Sequence, residues 1–152
     1  MDPFVAPFVE RLDSVHEDIY AAVEPLTDEA INWRHPSLSN TIGILLRHTA
    51  GSERYWVVQM VGGREIERDR DAEFAGEHLA KAPLVAALRA AQREVRDVLA
   101  RLTPADLSQT IELPYRGGTR TVARQWAVLQ SLTHTAYHLG QIQLFKKMAG
   151  SR

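Results

Sequence analysis

The chain of 152 residues is long enough for a substantial hydrophobic core, and we expect residues 1–152 to form a single domain. Its formal net charge is −1 and no basic patch dominates, so nucleic acid is not expected as a partner. The sequence has no cysteine, which excludes disulfides, thiolate metal ligands and a cysteine nucleophile.

The N-terminal half contains two long predicted helices. Apolar residues recur every three or four positions over residues 4–23, and Asp2-Pro3 is the expected start of this helix. Thr27 precedes a short predicted helix, and a second long helix is predicted over residues 40–61. The N-terminus lacks the basic and apolar segments of a signal peptide, so a cytoplasmic protein is expected.

The C-terminal half contains two more long helices, joined by longer connections. Residues 62–82 form a charged link, and a third helix is predicted over residues 83–102. Two short extended segments around Gly117-Gly118 indicate a hairpin with a primed turn. A fourth helix is predicted over residues 122–148, with Thr121 as its N-cap.

Four amphipathic helices of this length predict an all-α fold, a four-helix bundle with a short hairpin-like insertion before helix four. The link over residues 62–82 is long enough to cross the bundle, which would make helices two and three parallel. Residues 125–145 contain no Asp, Glu, Lys or Arg. Their glutamines, histidines and threonines nevertheless argue against a membrane span, so no membrane partner is expected.

His134 and His138 are the most informative residues of the fourth predicted helix. They are four residues apart, so they project from one face of that helix and could bind one metal ion. The alternative is that they are hydrogen-bonded core residues. A third histidine ligand would come from another segment, and His48 is favoured because the polar residues near it follow the same strip of helix two. The other candidates are His16, His35 and His78. Three protein ligands with open positions are typical of catalytic rather than structural zinc.

Three stretches of the chain resemble the DinB/YfiT-like family. They are L-T-D-E-A-I-N-W-R-H-P, then N-T-I-G-I-L-L-R-H-T-A-G-S-E-R-Y-W, then H-T-A-Y-H-L-G-Q-I-Q-L-F. The family's histidine in I-G-x-L-L-x-H corresponds to His48, and those in H-x-x-x-H-x-G-Q-I correspond to His134 and His138. The resemblance therefore implies a metal site of these three residues in a bundle with up-down-down-up topology.

The resemblance also implies an activity. Characterised branches of the family are transferases or isomerases that use low-molecular-weight thiols such as bacillithiol, mycothiol or glutathione. We therefore expect a metal-dependent thiol S-transferase that acts on an electrophilic small-molecule substrate in detoxification or stress. Zinc or nickel suits an all-imidazole site, and iron or manganese remains an alternative. A metal-dependent hydrolase and a non-catalytic metal-binding stress-associated bundle are the other interpretations. No catalytic residue or thiol-binding residue is assigned.

Other residues near the predicted site have open roles. Glu53 follows His48 by five positions and points about 140° away from it on an ideal helix, which places it outside the metal ligands. Gln141 could hydrogen-bond a ligand, and Gly140 could permit a close helix approach. Arg116 and Arg120 flank the hairpin and could meet an anionic thiol. The tryptophans and Tyr137 are interpreted as packing residues, namely Trp33, Trp56, Trp126 and Tyr137.

The composition of the fourth predicted helix also leads us to expect an oligomer. Helix four has uncharged residues nearly all round, so one strip of it should face the metal and a second should pack on another helix or subunit. The second strip is Trp126, Thr133, Ala136 and Gly140. A homodimer with a complete metal site in each subunit is therefore expected.

Overall fold

The computed structural model describes residues 1–76, 78–115 and 117–150. The protein is mostly helical, with one small antiparallel sheet. Its α-helices are α1 (Ala6–Val23), α2 (Asp28–Asn32), α3 (Ile42–Glu53), α4 (Arg70–Phe74), α5 (Lys81–Leu99), α6 (Pro104–Ser108) and α7 (Arg124–Gly150). The strands are β1 (Thr110–Tyr115) and β2 (Gly118–Ala123).

The short helix α2 begins as the sequence predicts. The Thr27 side chain accepts a hydrogen bond from the Ala30 backbone N–H, which satisfies one of the free donors of the first turn. The start of α1 differs from the prediction. Asp2 accepts a hydrogen bond from the Phe4 N–H, but this forms a preceding turn, and the helix begins at Ala6 without a side-chain cap.

The second long helix changes its hydrogen-bonding pattern halfway along. Thr41 caps α3 by accepting from the Ile44 N–H, and the chain is α-helical up to Glu53. Arg54–Val61 then form a π-helical segment, and the Gly62 N–H donates to the Val57 carbonyl at 2.8 Å. The sequence predicted one regular helix over residues 40–61. π-Helical turns occur often at functional sites.

Contacts between α3 and α7 show that these helices run in opposite directions. His48 lies against His134, whereas Trp56, further along the π-helical segment, packs on Trp126, which comes earlier in α7. These contacts place His48 of α3 next to His134 of α7.

Contacts between the π-helical segment and α5 occur in the same order along the two segments, so the two run parallel. Arg54 Nε lies 3.4 Å from a carboxylate oxygen of Glu94, and Gly62 at the end of the π-helical segment lies against Val98. The link over residues 62–80 therefore runs back along the second long helix to the start of α5 at Lys81. It contains α4, whose first turn is capped by the Asp69 side chain.

The hairpin occurs where the sequence predicts it. β1 and β2 pair antiparallel, with Tyr115 opposite Gly118, and Gly117 has a φ of 80°, which glycine adopts without strain. The prediction that Thr121 caps the last helix is wrong. Thr121 pairs with Glu112 within the hairpin, and α7 begins only at Arg124 because the strand continues to Ala123.

Two clusters of buried apolar side chains fill the space between the long helices. Both include residues of α1, α5 and α7, and they lie on either side of a layer of buried polar residues. That layer includes His16, His48, Glu53 and Thr135. Among the described residues, no helix is long and apolar enough to cross a membrane.

Candidate metal site

Three histidines from two helices converge at one point. α3 supplies His48, and α7 supplies His134 and His138 from successive turns. The Nε2 atom of His134 lies 3.3 Å from Nε2 of His48 and 3.1 Å from Nε2 of His138. Each residue offers a ring nitrogen within 4.8 Å of those of the other two. We call these residues the histidine triad.

The opposite nitrogen of each ring has its own partner. His48 Nδ1 lies 2.7 Å from a Glu73 carboxylate oxygen, which can only accept, so this nitrogen donates. His138 Nδ1 lies 2.7 Å from the amide oxygen of Gln141, which also accepts. His134 Nδ1 lies 3.3 Å from the Ser52 hydroxyl oxygen. The acceptors beside His48 and His138 favour the tautomer with the proton on Nδ1, which leaves a lone pair on Nε2. The Ser52 hydroxyl can either accept from or donate to His134 Nδ1.

The protein environment keeps the triad neutral. Burial lowers the pKa of His134 to about 4, and the neighbouring imidazoles lower it further in the same direction. Burial also lowers the pKa of His48, against the opposing effect of the Glu73 hydrogen bond. For His138, burial lowers the pKa although the Gln141 hydrogen bond opposes it. Neutral imidazole is the form that binds metals.

The donor set fits a divalent metal ion. Nitrogens that bind one zinc ion tetrahedrally at 2.0–2.1 Å lie about 3.3 Å from one another, close to the spacing found here. If every Nδ1 carries a proton, three lone pairs face one another without a donor between them, which is electrostatically unfavourable. A cation among them would remove that repulsion. Hydrogen bonding of Nδ1 to an acceptor is also the usual arrangement for metal-binding histidine.

Glu73 is the site residue that sequence reasoning missed. Glu73 lies in α4, within the charged link over residues 62–82. Its side chain is nevertheless buried and paired with Arg68. Burial would raise the pKa of Glu73, but the hydrogen bonds from Arg68 and His48 together lower it, so the carboxylate is ionised. The only sequence signal was Asp69 three residues before Ala72, which is typical of a helix start.

His16, the rejected alternative to His48, lies in a separate cluster. Its Nε2 is 3.0 Å from one Glu53 carboxylate oxygen and 3.1 Å from the other, and Thr135 Oγ1 donates to Glu53 at 2.8 Å. We call His16, Glu53 and Thr135 the buried bridge. It joins α1, α3 and α7, so Glu53 has a helix–helix role and lies outside the triad, as its angular position indicated.

An open cavity of about 610 Å³ adjoins the triad. His48 and His134 form part of its wall, together with Arg68 and Arg70 from the link. The remaining lining residues come mainly from the π-helical segment and α7, and they are Ser52, Tyr55, Trp56, Gln59, Ile66 and Gln130. The size is that of a small-molecule site. A separate concave region near α2, about 820 Å³, includes none of the three histidines.

The other predicted residues have varied positions. Arg120 stacks over Trp126, 5.0 Å from the ring centroid, and is not part of the cavity wall; the prediction for Arg116 lies outside the described residues. Tyr137 is 63% exposed and its ring lies 5.4 Å from that of His138 between centroids, so it packs at the rim and not in the core. A Cβ atom on Gly140 would meet no described atom within 4 Å, so this glycine permits no close approach within the chain. Among the described residues, the group that could hold a metal ion includes neither His35 nor His78.

Comparison with known proteins agrees with this arrangement. The sequence model of the DinB superfamily matches residues 11–142, and the chain therefore belongs to that superfamily. Among curated proteins none matches the sequence. A crystal structure of a conserved protein from Enterococcus faecalis is similar to this one with a TM-score of 0.75 at 16% identity. The alignment covers 100% of this chain and 99% of that chain, and it demonstrates a shared fold.

Proposed function

We propose that the histidine triad binds a divalent metal ion and that the protein is a metal-dependent enzyme. The observation that carries this proposal is the convergence of three Nε2 atoms, each on a ring whose Nδ1 has another partner. Zinc or nickel suits neutral imidazole best, and iron or manganese is compatible with it. When bound, such an ion can bind and deprotonate a thiol or a water molecule.

The open cavity favours catalysis over a structural role for the ion. A structural zinc is normally enclosed by four protein ligands, whereas this site has three and borders a space for a small molecule. Arg70 gives the cavity wall positive charge, which attracts anions, whereas the charge of Arg68 is balanced by Glu73. The Trp56 side chain offers an apolar surface. We propose that the reaction is transfer of a low-molecular-weight thiol to an electrophilic substrate.

Metal analysis of protein purified without a histidine tag tests the first part. We expect about one divalent ion per chain, and its loss in a His134→Ala variant. A His35→Ala variant, changed outside the triad, should retain the ion. The second part requires a screen with several cellular thiols and electrophiles. Metal-dependent hydrolysis without thiol transfer would favour the hydrolase interpretation, and bound metal without turnover would favour the non-catalytic one.

The contacts between helices support an up-down-down-up bundle in a single domain over residues 1–152. The antiparallel contacts of α3 with α7 and its parallel contacts with α5 are those that this topology requires. A cytoplasmic location remains a prediction.

An exposed apolar strip on α7 supports a homodimer. Leu129, Tyr137 and Leu144 are 45%, 63% and 53% exposed, and they follow one face of the helix together with Gly140. This face is shifted slightly from the strip expected from the sequence. Exposed apolar surface of this kind typically marks an interface. Light scattering over a dilution series tests the proposal, and a Leu144→Glu variant should give monomers while the triad of each chain retains its metal.

A further inference from the structure

We propose that Glu73 is a positioning residue of the metal site, which fixes the His48 ring so that Nε2 faces the ion. This inference rests on the proposed function, because it assumes that the triad binds metal. Its basis is a chain of contacts that runs from the charged link over residues 62–82 to His48.

The first contact is the hydrogen bond between Glu73 and His48. At 2.7 Å from Nδ1, the carboxylate accepts the Nδ1 proton and thereby selects the tautomer with a free lone pair on Nε2. A carboxylate partner also makes the imidazole a better electron donor to a metal. The Phe74 ring lies 4.5 Å from the His48 ring, between ring centroids, so α4 restricts this imidazole on a second side.

The second set of contacts fixes the carboxylate itself. Arg68 donates to both oxygens of Glu73, from Nε at 2.6 Å and from Nη2 at 2.9 Å. Arg47 Nε donates to the Glu73 backbone carbonyl at 2.9 Å. A carboxylate with a bidentate arginine partner has both its position and its charge defined. The short helix α4 is therefore tied to α3 at the level of the triad.

The third observation is the space that Gly51 leaves. A Cβ atom at this position of α3 would lie 2.7 Å from Glu73 Cδ and closer still to Oε1, so the carboxylate would have to move. The backbone of Gly51 has no positive φ, and alanine is favoured over glycine within a helix. A methyl group here should therefore displace the carboxylate from His48 without weakening α3. Glycine at this position is explained by the room that Glu73 needs.

Two variants test the proposal through metal affinity, measured by calorimetric titration of the metal-free protein with zinc. Glu73→Gln removes the charge, and Gly51→Ala displaces the carboxylate. Each should weaken zinc binding by about 10- to 100-fold, the usual effect of removing the partner of a ligand. In the double variant the effects should not add, because both act through one contact. Glu67→Gln, an exposed acid in the same link, is the matched control and should bind as the wild type does.

A second readout is independent of metal. The ¹⁵N chemical shifts of the His48 ring in the metal-free protein should indicate the Nδ1–H tautomer, and Gly51→Ala should remove that preference. Unchanged zinc affinity in both variants would overturn the inference and leave the proposed metal site standing. A wild-type protein that binds no divalent metal would overturn the proposed function and this inference with it.

Discussion

The protein contains two histidine-containing clusters that share neighbouring positions of α3 and α7 and differ in chemistry. In the buried bridge, His16 faces a carboxylate, and the cluster is enclosed, with His16 and Glu53 0% and 1% exposed. In the histidine triad, the Nε2 atoms face only one another, and His48 and His134 border an open cavity. The Nε2 atom of His16 has its partner within the protein, whereas its Nδ1 has none among the described residues. When every Nδ1 carries a proton, the three Nε2 atoms of the triad are all acceptors with no donor among them, and a bound cation would satisfy their lone pairs.

The same comparison explains why the two carboxylates near α3 differ in role. Glu53 contacts His16 Nε2 of α1 and Thr135 Oγ1 of α7, so it joins α3 to both helices. Glu73 contacts the far nitrogen of a triad ring and leaves the near one free. The two histidines therefore differ in which ring nitrogen the carboxylate contacts. It contacts Nε2 in the structural residue His16 and Nδ1 in the candidate metal ligand His48.

The largest expected effect is the loss of metal-dependent stability in a His138→Ala variant. Metal at 100 times its dissociation constant stabilises a native state by about 2.7 kcal/mol, which raises the Tm of a protein this size by roughly 5–10 °C. The variant should lose this increase, because two imidazoles on neighbouring helices hold an ion weakly. Thermal denaturation with zinc and with a chelator measures it. A variant that responds to both as the wild type does would place the ion elsewhere.

A Glu53→Ala variant should show the opposite pattern. It leaves His16 Nε2 and Thr135 Oγ1 without their buried partner, at a cost of about 1–3 kcal/mol for each unsatisfied group. The free energy of unfolding of the metal-free protein should therefore fall by about 2 kcal/mol, measured by urea denaturation. The zinc-dependent rise in Tm should persist. If that rise disappears while the variant remains folded, the bridge and the triad are one functional unit.

The stability of the metal-free protein should also depend on pH. The pKa values of the three triad histidines are lowered in the folded state, that of His134 to about 4, whereas an unfolded histidine titrates near about 6.5. Between these values the unfolded chain binds protons that the folded chain does not, so stability is full above about pH 6.5 and falls as the pH decreases toward about 4.

Urea denaturation at about pH 7 and about pH 5 measures this loss. A His134→Asn variant should lose less stability over the interval than the wild type, because one of the groups with a lowered pKa is removed. His35→Asn, changed in a loop outside the triad, serves as the control. Equal losses in wild type and His134→Asn would assign the pH dependence to other groups.

Much of the fold was predictable because it follows from local patterns. The long amphipathic helices follow from apolar periodicity, α2 from its Thr27 cap, and the hairpin from Gly117-Gly118. The convergence of the triad followed from the spacing of two histidines in one helix and from the family motif that contains His48. These signals are carried by neighbouring residues, so no knowledge of tertiary contacts was needed.

The features that were not predicted depend on contacts between distant segments. Glu73 follows no periodic pattern, and its role arises only because α4 folds back on α3 and meets Arg68 and His48. The π-helical segment likewise has no marker in the sequence. Thr121 was a plausible cap by residue type, but pairing with β1 kept it in a strand.

The smallest expected effect concerns the amide that holds the last triad residue. Gln141 accepts from His138 Nδ1 at 2.7 Å, as Glu73 does from His48, but it carries no charge. A neutral hydrogen bond contributes about 1 kcal/mol, so Gln141→Leu should weaken zinc binding by about fivefold. Charged partners form hydrogen bonds about twice as strong, so the effect should be smaller than that of Glu73→Gln. Gln143→Leu, an exposed site two residues further along α7, is the matched control. If Gln141→Leu reduces affinity as much as Glu73→Gln, then orientation of the ring alone sets the affinity, and the charge of Glu73 adds nothing to it.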